Sequence, residues 1–243
     1  MASSPLLRKL AIFAELKSEE ISLLNEAGTD VRTTPAKRDI ISEGDRPDHL
    51  HLIVGGWAAR CKVLPNGLRQ ITAFLLPGDF CDLHVKVLKQ MDHSITAITQ
   101  CRVAWIASDR FDRLTLQHPE LTRALWWGTL LDEAILRSWI VNNSRREAYQ
   151  RIAHLLCELH ARAKIVGLAG NDRLDLPLTQ NDIADATGLT PVHVNRMLQR
   201  LRGDGLITLS GHVLTITDPA GLKQAAQFDD SYLHGARRVR YPA

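Results

Sequence analysis

Between Ala186 and Gly203 the chain carries Arg196, Arg200 and Arg202 and no acidic residue. A guanidinium can donate to guanine O6 and N7 together, and a helix start offers free amides to phosphate, so a bare basic helix suits duplex DNA. The neighbouring residues supply that helix and its partner. Thr179 is placed to cap a helix over 180–186, Thr187-Gly188-Leu189 makes a tight turn, and Thr190 caps a second helix that Pro191 opens and Arg202 nearly ends. Ala184 is small where the two helices cross, while Ile183, Leu189, Val194 and Met197 point inward, which meets the demands of a helix-turn-helix. Apolar runs at 206–209 and 213–216, joined at Ser210-Gly211-His212, add a wing. A helical hairpin in a core would not explain the missing acids. Val192, His193, Asn195, Arg196 and Gln199 are expected to face the groove, with Thr190 and Arg200 at phosphates and Thr179, Gln180 and Pro191 completing the contact set.

Other chemistry is thin. Cys61, Cys81, Cys101 and Cys157 form no CxxC pair and are too few for a disulfide framework, so they read as reduced thiols rather than as a zinc or iron–sulfur site. His49, His51, His84 and His93 keep a haem or metal reading open, although His49 and His51 share one face of a strand and read more simply as ordinary polar residues. Cys81 beside Asp82 has no flanking base to activate it and reads as a buried structural thiol. There is no GxxxxGK loop, no HExxH and no GxSxG, so an enzyme is not expected.

The 243 residues, 45% of them hydrophobic, suit two globular domains with real cores. Thirty Lys and Arg against 27 Asp and Glu give +3, and all of that surplus lies in 145–243, which holds 13 basic and 10 acidic side chains. No apolar run approaches the roughly 18 residues that cross a bilayer, and 1–10 lacks the continuous apolar core of a signal peptide. A cytoplasmic protein without membrane contact is expected.

The elements that position the basic helix can be read as well. Gly44, Gly55-Gly56, Gly67 and Gly78 recur about every 11 residues beside Pro35, Pro47, Pro65 and Pro77, with Asn66-Gly67 as a hairpin signal. Runs at 49–54, 57–63, 68–75, 95–98 and 101–107 therefore predict short strands in a barrel or roll. A short helix from an N-cap at Ser18 to Gly28 precedes it, and Ser108 caps a segment over 109–118 behind it. Pro119 then opens the longest helix, to about 143, whose apolar residues cover more than one stripe. One face can lie on the roll, and another on a second copy through Leu121, Leu125, Gly128, Leu131, Ile135 and Trp139; a helix buried inside a monomer is the plainer alternative. Polar 142–146 predicts a hinge, and 148–163 a further helix. The fold class expected is α+β: an effector-sensing β-roll of jelly-roll type over 1–108, a helical dimerisation segment and hinge over 109–146, a winged helix-turn-helix over 147–226 and a polar basic tail over 227–243.

This order of parts resembles the cyclic-AMP receptor/fumarate-nitrate reductase regulator (Crp/Fnr) family of bacterial transcription factors. Its anchors are Ile41-Ser-Glu-Gly44, His51-Leu-Ile-Val-Gly-Gly56, Asn66-Gly67, Pro77-Gly-Asp-Phe80 and the stretch 178–207. The resemblance implies a cyclic-nucleotide-binding-like roll, a homodimer joined through the long helix, double-stranded DNA as partner, RNA polymerase as a further one, and an effector between roll and helix near Phe80, Cys81, Asp82, Leu83, His93 and Ser94.

Departures from the family pattern limit what carries over. Members that bind cyclic nucleotides follow Pro-Gly-Asp-Phe with Gly-Glu and later an Arg that pairs with the phosphate; here Cys81 and Asp82 stand at the first two places and no Arg occurs from Asp79 to Cys101. The only fixed cations there are Lys86 and Lys89, and Asp92 lies near the place of the Arg, so cyclic AMP is not the expected effector. The oxygen-sensing branch carries cysteines ahead of the roll, whereas the first cysteine here is Cys61, which argues against an iron–sulfur cluster. In the reading helix, Val192, Asn195 and Arg196 stand where the oxygen regulator has Glu, Ser and Arg; Arg196 carries over as a guanine reader, while Val192 can meet only a thymine methyl. The effector stays unnamed. A dimeric, sequence-specific regulator binding an inverted repeat is the leading reading, and a regulatory scaffold acting through protein contacts is the alternative. The tail arginines, Arg237, Arg238 and Arg240, are candidates for backbone contact with DNA.

Overall fold

The structure is a computed structural model that describes residues 4–83, 90–170 and 172–234. These fall into two compact units, one formed by 4–62 with 73–132, the other by 63–72 with 133–234.

The first unit contains helices α1 (Pro5–Leu10) and α2 (Ser18–Ala27), strands β1 (Val31–Thr34), β2 (Asp39–Ile41), β3 (His49–Gly55), most of β4 (Ala58–Val63), the end of β5 (Arg69–Leu75), β6 (Ser94–Ala97) and β7 (Cys101–Ala107), helix α3 (Ser108–Gln117) and the start of α4 (Pro119–Arg145). The strands make two antiparallel sheets, ordered β1-β7-β3 and β2-β6-β4-β5. All five anticipated strands form within a residue or two of their expected bounds. Strands β1 and β2 were not anticipated, because β1 is exposed along most of its length and has no apolar alternation to betray it.

Strands β3 and β7 are mostly apolar because both of their faces pack on protein. Ile53 is in register with Val103 and joins Ile41, Ala58, Leu75, Met91 and Ile95 inside the roll. Leu50, Leu52, Ala104 and Ile106 face the other way, onto Leu6, Leu10, Leu24, Phe111, Leu121 and Leu125 of the four helices. The Pro77-Gly78 turn touches α1 directly: a Cβ at Gly78 would lie 2.8 Å from the carbonyl carbon of Pro5, and its φ of +96° already requires glycine. Lys9 pairs with Asp79 at 2.7 Å beside that turn, and Phe13 stacks on Trp127 with ring centroids 5.5 Å apart.

Two helix starts differ from expectation. Lys17, not Ser18, holds the cap position of α2, and its amide donates to Glu20 Oε2 at 2.7 Å. Ser108 is already helical, and its hydroxyl donates to the Asp48 carbonyl instead of capping α3.

The second unit contains the rest of α4, then α5 (Ala148–Val166), β8 (Ala169–Gly170), β9 (Arg173–Asp175), α6 (Gln180–Thr187), α7 (Pro191–Gly203), β10 (Ile207–Ser210), β11 (Val213–Ile216), α8 (Pro219–Ala226) and a 3-10 turn at Asp230–Leu233. Its sheet is ordered β10-β11-β9-β8. Helix α5 is its spine, with Ile152, Leu155, Leu156 and Leu159 buried.

The expected hinge over 142–146 is mostly helix. Asn142 donates to the Arg151 carbonyl at 3.1 Å and Asn143 to the Ala186 carbonyl at 3.0 Å, so polar residues that read as a flexible link are docking contacts. The two compact units part inside α4, at 132/133.

The stripe of α4 expected to face a second copy lies inward in the single chain. Leu121, Leu125, Leu131, Ile135 and Trp139 are all buried within the single chain, and Gly128 has open space beside it. At 100° per residue the opposite side of the helix carries Trp126, Leu130, Ile140 and Val141, which are 70%, 50%, 61% and 51% exposed. Sequence spacing found a true apolar stripe, but the chain fills that stripe itself.

Candidate nucleic-acid interface

Helix α6 begins with a reciprocal cap: Thr179 Oγ1 accepts from the Asp182 amide at 3.2 Å, and Asp182 Oδ2 accepts from the Thr179 amide at 3.0 Å. Its end is Gly188, in the left-handed region at φ +65°. Arg151 of α5 donates to the Thr187 carbonyl at 2.7 Å and pins the turn to the spine.

Helix α7 starts with Thr190 at the cap, its hydroxyl accepting from the His193 amide at 3.2 Å, and Pro191 as first residue. Val194, Met197, Leu198 and Leu201 face the core. Val192, Asn195, Arg196 and Gln199 form one exposed stripe with i, i+3, i+4, i+7 spacing, and Val192 is 82% exposed. His193 is half-buried, and Thr179, Gln180, Thr190 and Pro191 are exposed. Among the described residues no ion pair engages Arg196. Arg69, from the hairpin tip that groups with this unit, pairs with Asp182 at 2.8 Å and Asp185 at 2.7 Å, so both acids of α6 are neutralised.

Arg200 departs from the simple expectation of a phosphate ligand. Its guanidinium stacks on Tyr149 of α5, and Asp204 lies 3.9 Å from its Nε. The sequence held no sign of this contact, because Tyr149 is 51 positions away. The wing turn is built on Gly211 and His212, both left-handed, at φ +55° and +64°.

In the first unit the six residues expected around an effector take different surroundings. Phe80 and Leu83 lie in the cluster between sheet and helices, Cys81 lies in the roll interior, and the Ser94 hydroxyl turns out to accept from the Glu43 amide at 2.9 Å. His93 Nδ1 is 2.6 Å from Asp92, and Asp82 is buried. Burial pushes the Cys81 thiol well above the usual range. His84, Lys86 and Lys89 lie outside the described residues, as do Arg237, Arg238 and Arg240.

A guanidinium from outside this stretch does lie beside it. Arg60 of β4 is in register with Ile95, an interior residue, and donates to the carbonyls of Phe80 at 3.2 Å and Cys81 at 3.2 Å. Its Nη2 lies 3.0 Å from Asp132 Oδ2 on α4. A search confined to the stretch after Pro77 could not find it. His51 is buried against Trp105, ring centroids 4.4 Å apart, and desolvation drives its pKa down to about 4. Among the described residues no three His, Cys, Asp or Glu side chains converge on a point where a metal could sit.

Comparison with known proteins agrees with this geometry. A family model described as a Crp-like helix-turn-helix domain matches 150–225, and one for the cyclic nucleotide-binding domain matches 31–118. The chain is 31% identical over 230 residues to the transcriptional activator protein FnrL of Cereibacter sphaeroides, covering 93% of this chain and 91% of that one. It is 28% identical to the nitrogen fixation regulation protein FixK of Bradyrhizobium diazoefficiens, covering 90% and 91%. Among solved structures, FixK2 from Bradyrhizobium japonicum superposes with a TM-score of 0.73 at 25% identity, over 80% of this chain and 96% of that one.

Proposed function

Because the chain belongs to the Crp/Fnr family of transcription regulators, which are not enzymes, we propose that it binds an inverted-repeat operator as a homodimer and reads each half-site with α7. The observation that carries this reading is the exposed stripe of Val192, Asn195, Arg196 and Gln199 on a helix capped at Thr190 and opened by Pro191. Arg196 reads a guanine, Val192 lies against a thymine methyl, and Thr190 with the first amides of α7 meets phosphate. The dimer forms through Trp126, Leu130, Ile140 and Val141 of α4, an apolar face that a lone chain leaves in water. Two such domains related by a twofold axis place their reading helices about 34 Å apart.

Cyclic AMP does not control it. The Arg60 guanidinium is already engaged by Asp132 and two carbonyls, so a cyclic phosphate that used it would have to displace a carboxylate. RNA polymerase is the partner that a regulator of this family would meet after binding DNA, and the relatives described as activators favour activation. Selection of bound duplexes from a randomised pool tests the whole reading. It should return an inverted repeat with half-site centres one helical turn apart; recovery of single half-sites alone, or of no duplex, overturns it.

A further inference from the structure

The Crp-like domain match ends at residue 225, yet the chain goes on to make a specific set of contacts. Helix α8 stops at Ala226, and Gln227, left-handed at φ +46°, turns the backbone back towards α5. The Gln227 carbonyl accepts from Arg146 Nη2 at 3.3 Å, at the joint between α4 and α5. The Phe228 ring meets the His154 ring edge-on at 5.1 Å, and Tyr232 lies parallel to His154 at 6.3 Å. Asp229 fixes the short turn by accepting from the Ser231 amide at 2.8 Å.

These residues close over a fully buried carboxylate. Glu158 of α5 accepts from Trp139 Nε1 of α4 at 2.9 and 3.1 Å, and from the Tyr232 hydroxyl at 2.8 Å, with Arg162 Nη1 3.5 Å away. Three elements thus meet on one side chain. Only Arg146 and Glu147 separate α4 from α5, so the angle between the two helices is set by such contacts and not by the backbone. Three contacts tie α4 to α5, namely Trp139 with Glu158, Ser138 with His154 and Asn142 with the Arg151 carbonyl, and Tyr232 adds its bond to Glu158.

We propose that the segment 228–233 is a strap that sets the angle between α4 and α5, with Tyr232 and Glu158 as positioning residues for two-site DNA binding. The second half of this statement rests on the dimeric reading above. A dimer that reads two half-sites at a fixed spacing needs that angle held; a single reading helix on a single half-site does not.

The test uses the full chain with Tyr232→Phe, which removes one hydroxyl, Glu158→Gln, and the pair together. Hydrogen exchange without DNA should quicken at 139–150 in each variant. Affinity for the full inverted repeat should fall about tenfold, the size expected for losing a hydrogen bond to a charged group, while affinity for an isolated half-site stays unchanged. The double variant should lose no more than the larger single loss. Unchanged exchange overturns the strap, and so does an equal loss on half-site and full site, which would mark general destabilisation. If a variant fails to fold, Phe228→Leu carries the same comparison. Should the wild-type chain bind no duplex, the DNA reading falls and the exchange arm alone decides the strap.

Discussion

Arg200 lies with its guanidinium carbon 4.6 Å from the centre of the Tyr149 ring, and the Tyr149 hydroxyl donates to Asp204 at 2.6 Å. The stack joins α5 to the exposed side of α7 one turn beyond Arg196. Two arginines on the same helix face therefore have different freedom: Arg196 is open to a base edge, whereas Arg200 is held by its own domain.

Arg196→Ala should cost roughly 1–3 kcal/mol per half-site and relax preference at one base pair in each half. Arg200→Ala, which removes the stack of α7 on Tyr149, should weaken binding to all sequences about equally and relax preference at no base pair. Both are measured against point-mutated operators at two salt concentrations. Unchanged base preference in the Arg196 variant would move the reading to Asn195 or Gln199.

Leu130→Asp and Ile140→Asp should yield folded monomers, because both positions face solvent in the single chain. Leu131→Asp and Ile135→Asp should instead unfold it, since a carboxylate would be buried without a partner. Sedimentation with circular dichroism separates the two classes, and a dimer that survives both exposed substitutions sinks the proposed interface.

All four cysteines are buried, and burial pushes Cys101 up to about 11 and Cys157 up to about 12, with Cys81 raised further. A thiol reagent at pH 8 should label none of them in the folded chain within the time it labels all of them in urea. Fast reaction of one thiol in the folded protein would show a site open to solvent.

His51 and His154 are both held down to about 4 by desolvation, against an ordinary value of 6.5. Below pH 6.5 the unfolded chain takes protons that the folded chain refuses, so stability is present above that pH and is lost as pH falls towards 4. Each histidine contributes up to about 1.4 kcal/mol per pH unit across this window. His51→Leu should flatten the loss between pH 7 and pH 5 seen in urea titrations. An identical slope in wild type and variant would mean that His51 is protonated in the fold.

Cyclic AMP should give no heat of binding in calorimetry and no change in operator affinity, because Asp132 already occupies the Arg60 guanidinium. A micromolar or tighter dissociation constant would refute this.

Local signals served the reading helix well, for the features that define it lie within 25 residues: the caps at Thr179 and Thr190, the turn at Gly188, the proline at 191 and the acid-free run. The roll's strands were legible for the same reason, through turn glycines and short apolar runs. What escaped were pairings between distant residues. Arg60 meets Asp132 across 72 positions, Arg69 meets Asp182 across 113, and Tyr232 meets Glu158 across 74. On α4, periodicity identifies apolar stripes, but which stripe the chain keeps for itself depends on what packs against it, as α5 does at Trp139.

Strand order has a consequence for how the chain is made. Strand β7 is the middle strand of its sheet, between β1 and β3, yet it is the last of the three to be synthesised. Until residues 101–107 leave the ribosome, β1 has no strand to pair with, and β3 has backbone partners only in 78–81. The N-terminal helix waits as well, since Lys9 finds Asp79 only after 70 further residues. The sheet β1-β7-β3 is therefore completed only when its last-made strand arrives, and the edge of β1 stays open for about 70 residues of synthesis.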